Sequence, residues 1–205
     1  GKGLAGHCSA YLTGHMMNAQ RTPLIAGNWK MYKTPSEAVE FARELALELP
    51  EYNDRQILVC PSFVALPTVK QAIEKTPILL GSQNVFHRTE GAFTGEVSPA
   101  MLKDIGVTHG ICGHSERRRI FGETNETVSL KVQALLDAEI VPILCVGETL
   151  EEREREQTLD VVETQLVTGL QHTDEEEAES VIIAYEPVWA IGTGKTATAD
   201  QAQEV

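Results

Sequence analysis

Lysine and arginine are scarce in this chain of 205 residues: 17 of them face 30 aspartates and glutamates, a formal net charge of -13. A nucleic-acid surface or an anionic-membrane surface needs clustered Lys and Arg, so both classes of partner are excluded. Any anionic substrate must then be held by a local positive site. Cysteine is also sparse, with Cys8, Cys60, Cys112 and Cys145 widely spaced and no C-x-x-C, which rules out a disulfide framework. The last three lie in or at the end of apolar runs, where a free thiol packs as a small hydrophobe; a reducing compartment, the cytoplasm, is expected. Nowhere do about 18 apolar residues run together, so no membrane span is expected. The first 22 residues lack both periodicity and the continuous apolar centre of a signal peptide. They read as a disordered leader with Met17 as the natural start, a reading preferred over a metal site of His7, Cys8 and His15.

What is present is a domain of ordinary composition, 42% hydrophobic and 23% charged, from residue 23 to 205. Short apolar runs predict strands at Leu24–Asn28, Gln56–Cys60, Ile78–Ser82, Val107–Cys112, Val141–Val146 and Val181–Tyr185. Helical periods fill the gaps. Thr34-Pro35-Ser36-Glu37 spells a capping box with Pro at the first helical position, followed by an apolar face of Ala38, Phe41, Ala42, Leu45 and Leu49. Val128, Val132, Leu135 and Leu136 predict a second such face, and Leu159, Val162 and Leu166 a third, on a helix over Leu150–Leu170. Its opening run, GETLEEREREQ from Gly147, reads as a solvated face supported by Glu151 and Arg155 at i,i+4. Asp174–Glu179 likewise reads as a solvated approach to the last strand. Alternation at this spacing predicts right-handed βαβ units in a parallel sheet or barrel.

The stretch Ser180–Lys195, SVIIAYEPVWAIGTGK, carries the clearest chemistry. Val181, Ile182 and Ile183 predict a strand buried on both faces, with Glu186 at its mouth as a candidate base. Pro187, Val188, Trp189, Ala190, Ile191, Gly192, Thr193, Gly194 and Lys195 then suit either a lid with an apolar underside or a connection packed on its neighbours. Asn28 and Lys30 leave the first strand two residues apart, so Lys30 is a candidate for the local positive charge. His114 ends the fourth strand before a polar turn whose dipole favours an uncharged, donating ring. A metal site of His109, Cys112 and His114 is disfavoured, since alternation sets His109 on the opposite face. Gly192, Gly194 and Lys195 do not complete a phosphate loop, because Trp189 occupies the place of its first glycine. The irregular segment Gln83–Ser98, with Phe86 and Phe93, predicts an interface.

YEPVWAIGTGK, AGNWKM (Ala26–Met31) and CGHSERR (Cys112–Arg118) together resemble the triosephosphate isomerase family, in the family's order and over residues 23–205. The resemblance implies an α/β fold of the (β/α)8 TIM-barrel type, with about six of the eight units in this chain, since Val205 falls in the sixth helix. It implies interconversion of dihydroxyacetone phosphate and D-glyceraldehyde 3-phosphate without metal or organic cofactor. Glu186 would be the base, His114 and Lys30 would stabilise the enediolate with help from Asn28, and Glu116 would support them. Lys30 and the Gly192 N–H would hold the phosphate, and the Gln83–Ser98 loop would enter a second subunit through Thr94. Six units make a weak or inactive isomerase the expectation for the isolated chain. The alternatives are a non-catalytic fragment completed by a second chain, or another phosphate-binding barrel isomerase or lyase.

Overall fold

A computed structural model describes residues 22–49, 52–191 and 196–205. The leader and the lid glycines therefore lie outside the described residues. Six parallel strands stand side by side in sequence order: β1 (Leu24–Asn28), β2 (Gln56–Cys60), β3 (Leu79–Ser82), β4 (His109–Cys112), β5 (Val141–Val146) and β6 (Ile182–Tyr185). A parallel neighbour can be reached only by crossing over one face of the sheet, and helices carry those crossings. They are α1 (Pro35–Glu48), α2 (Leu66–Ile73), α3 (Pro99–Ile105), α4 (Ser115–Phe121), α5 (Asn125–Asp137), α6 (Leu150–Glu154), α7 (Thr158–Gly169) and α8 (Glu175–Ala178), and α9 (Ala199–Gln203) follows β6. Every strand but the outer two is paired on both sides, and the sheet curls into part of a barrel.

Side-chain alternation divides the core in two. Ile57, Val59, Leu80, Cys112 and Leu144 face outward and meet Ala38, Ala42, Val69, Val128, Val132 and Leu135 of the helices. Leu58, Cys60, Ile111, Ile143 and Cys145 face inward and pack with Leu24, Leu79, Ile182 and Ala184 of the strands. The three thiols are free and buried, and burial pushes Cys60 and Cys112 up to about 12, so all three serve as packing groups. The capping box at Thr34 forms as its sequence spells it.

Four expectations need correction. β6 is not buried on both faces, because it has a neighbour on one side only; Ile183 is 43% exposed, matching Ile25 at 54% on the other outer strand. Leu150–Leu170 is two helices, α6 and α7, parted where Glu156 takes a left-handed φ of 60°. Leu159 points to solvent at 62% exposure and takes no part in the apolar face. Phe41 is likewise half out of its predicted face, with its ring edge-on to Trp29 at 5.2 Å.

Candidate active site

The strand ends bring Asn28, Lys30, His114, Glu116 and Glu186 together. β1 stops at Asn28, and its Oδ1 accepts the Lys30 N–H at 3.0 Å. Lys30 itself has left the strand with φ 52°, a left-handed conformation that costs a non-glycine residue about 1 kcal/mol. Gln83 holds it there, donating from Nε2 to the Lys30 carbonyl at 2.9 Å and to the Cys60 carbonyl at 2.8 Å. Strand alternation therefore does not aim Lys30. The turn does, and it sets Nζ 2.6 Å from Glu116 Oε1. Burial raises the Glu116 carboxyl, but the Lys30 hydrogen bond and charge outweigh it and hold the group below its ordinary value.

His114 is also off the strand. Gly113 turns the chain with a left-handed φ of 68°, where a side chain would strike Arg118 and Val128, so His114 becomes the N-cap of α4. Cys112 stays in the outer core and His109 pairs with Thr108, so the three do not gather. The His114 Nδ1 accepts the Glu116 N–H at 3.2 Å. A nitrogen that accepts carries no proton, so the ring proton of the neutral form sits on Nε2. That nitrogen lies 3.2 Å from Glu186 Oε1, while Glu186 Oε2 accepts the Ser115 N–H at 3.1 Å. The Cys145 thiol lies against the same carboxylate; burial and the neighbouring Glu186 push it well above the ordinary thiol range.

Several residues at the site escaped the sequence reading. Glu148, in the run read as solvated, is 0% exposed. It accepts from Tyr185 OH at 2.9 Å, Trp189 Nε1 at 2.9 Å and Arg153 Nη1 at 3.0 Å. Burial first, then Glu148, pushes the Tyr185 phenol up to about 12. Trp189 is thus tied down in a one-turn 3-10 helix over Val188–Ala190, with Arg153 5.0 Å above its ring. Both readings of this segment are compatible with that contact, and the Gly192 N–H lies outside the described residues. Lys131, also buried, joins Asn84 at 2.7 Å to Glu123, which Arg117 of α4 binds as well. Glutamates and lysines are solvated so often that only their apolar flanks could have hinted at this.

Phe86 packs on Phe93 at 4.6 Å, so the long loop buries its aromatics partly against itself and leaves Thr94 exposed. Among the described residues no group of His, Cys, Asp and Glu could hold a metal ion, and no helix is long and apolar enough to cross a membrane.

The family profile described as "TIM: Triosephosphate isomerase" matches residues 23–205. A triosephosphate isomerase of Carboxydothermus hydrogenoformans is 60% identical over 185 residues, which is 90% of this chain and 74% of the relative. Those of Endomicrobium trichonymphae and Citrifermentans bemidjiense are 55% and 54% identical, over 90% of this chain and 74% and 73% of their own lengths. A carboxylate, an imidazole and a lysine gather at one end of this parallel β/α sheet, and the chain belongs to the triosephosphate isomerase family, enzymes that interconvert dihydroxyacetone phosphate and D-glyceraldehyde 3-phosphate.

Proposed function

We propose that Glu186 is the base of this isomerisation, removing the proton alpha to the carbonyl and returning it to the adjacent carbon. The observation that carries the reading is the 3.2 Å separation of Glu186 Oε1 from His114 Nε2. A carbon acid and its carbonyl oxygen are neighbours, so a base and a donor this close can serve both at once. His114 donates its Nε2 proton to the oxygen as charge develops there. Lys30 adds the fixed positive charge that an acidic chain otherwise lacks, with Glu116 and Asn28 setting its place, and Lys30 also holds the phosphate together with the Gly192 N–H. Pro187–Lys195 closes over the substrate, and the chemistry needs neither metal nor organic cofactor. Free buried thiols fit a reducing compartment such as the cytoplasm.

Nitrogen NMR of the imidazole tests the assignment. The His114 ring in its neutral form should show a protonated Nε2 and a bare Nδ1, because the Glu116 N–H occupies Nδ1. The opposite tautomer would remove His114 from the donor role.

The same reading makes the enzyme a homodimer through the Gln83–Ser98 loop. Phe93 and Thr94 stand out from the loop, and Met31 and Phe121, at the edge of the cavity that Asn28, Lys30, His114 and Glu116 line, are exposed apolar groups a partner can cover. Sedimentation at micromolar concentration should show a dimer, and Thr94→Arg should shift it to monomer. A wild-type chain that sediments only as monomer would rule out this assembly.

A further inference from the structure

The mouth of β5 is held by a side chain from α7. Gln165 accepts the Gly147 N–H on Oε1 at 2.7 Å and donates from Nε2 to the Gly147 carbonyl at 3.2 Å. One residue's two backbone groups are thus bound by one amide, which only a neutral side chain with both a donor and an acceptor can do. The reach of Gln165 is set one turn later, where Gly169 brings α7 onto β5: a Cβ on Gly169 would sit 3.0 Å from Leu144 Cδ2.

Gly147 in turn touches Glu186. A Cβ on Gly147 would overlap the Glu186 carbonyl oxygen, and the Glu186 N–H donates to Val146, the residue before Gly147, at 2.7 Å. The backbone of Glu186 is seated on the peptide that Gln165 clamps. Its carboxylate then spans the short gap to the Ser115 N–H and His114.

We infer that Gln165 is a positioning residue for Glu186, fixing the height of the carboxylate through Gly147 without touching the substrate. The inference rests on the assignment of Glu186 as base. Misplacing a catalytic group by about 1 Å costs up to ~10²-fold in rate, so a clamp on its seat is kinetically visible.

Gln165→Met keeps the length of the side chain and removes both hydrogen bonds. It should lower kcat about tenfold or more with KM within about twofold, since the loss falls on the base and not on substrate binding. The Ser115 amide reports where the Glu186 carboxylate lies, and its hydrogen exchange should quicken by about fivefold or more while amides of β1 to β3 keep their rates. Gln165→Glu retains an acceptor for the Gly147 N–H and loses the donor, so it should fall between; it decides the matter if Gln165→Met does not fold. Wild-type kcat with a wild-type Ser115 exchange rate overturns the inference, as does faster exchange spread evenly over the sheet. A wild-type chain without isomerase activity would overturn Glu186 as base, and Ser115 exchange in the variants would then decide the clamp alone.

Discussion

Replacing Glu186 by glutamine should lower kcat by about 10²- to 10⁴-fold and leave KM within a few fold, because the side chain keeps its shape and loses its ability to take a proton. The surroundings make this a clean substitution. Glu186 accepts from the Ser115 N–H on one oxygen and faces His114 Nε2 with the other. An amide has one oxygen, so it can satisfy either donor and must turn its own N–H toward the second. Losing one hydrogen bond in a part-buried site costs about 1 kcal/mol, too little to unfold the domain, so a fall in rate would belong to the chemistry. Steady-state assays in both directions, with the melting temperature measured in parallel, separate the two effects. A kcat within threefold of wild type in a folded Glu186→Gln protein would remove Glu186 from the role of base.

The strands were legible because each is a short β-branched or apolar run between turn residues, and the observed bounds differ from the expected ones by two residues at most. Thr34 and Glu37 announced their helix with equal clarity, since a capping box is a purely local device. Breaks made by ordinary residues were not legible: nothing about Glu156 marks a left-handed turn, and the Glu151–Arg155 pair before it and the apolar spacing of Leu159, Val162 and Leu166 after it both suit one continuous helix. The site divides in the same way. Asn28, Lys30, His114 and Glu186 were found from residue type, from their places at strand ends and from the family motifs. The aim of Lys30 and His114 was not legible, because Lys30 and Gly113 take left-handed φ values that end the two-residue alternation. Glu148 was hidden for a different reason. Tyr185 and Trp189, which bury it, lie 37 and 41 residues further on, and no local pattern encodes such a pairing. The link from Lys30 to Glu116 spans 86 residues and is equally silent in the chain.

Lys131→Met should destabilise the domain by about 3 kcal/mol. Lys131 and Glu123 have side chains only 5% and 6% exposed, and breaking a buried ion pair from one side typically costs about 3–5 kcal/mol, since the surviving charge is left in a poor solvent. Arg117 still binds Glu123 and holds the cost to the lower end, while Asn84, at the root of the long loop, loses its partner. Urea unfolding near neutral pH measures the deficit. Removing the acid as well should recover part of it: Glu123→Leu combined with Lys131→Met should be more stable than the sum of the two single variants predicts, with a coupling of about 1–3 kcal/mol. The pH dependence has a definite sign. Burial raises the Glu123 carboxyl, but hydrogen bonds from Lys131 and Arg117 outweigh it and hold the group below its ordinary value. A depressed acid adds stability above its unfolded pKa, about 4.3 for glutamate, and that stability is lost as pH falls through the lower folded value. The deficit of Lys131→Met should accordingly be full near neutrality and narrow as the pH drops below about 4. A deficit under about 1 kcal/mol near neutral pH, or perfect additivity with Glu123→Leu, would mean that the pair does not brace the turn between α4 and α5.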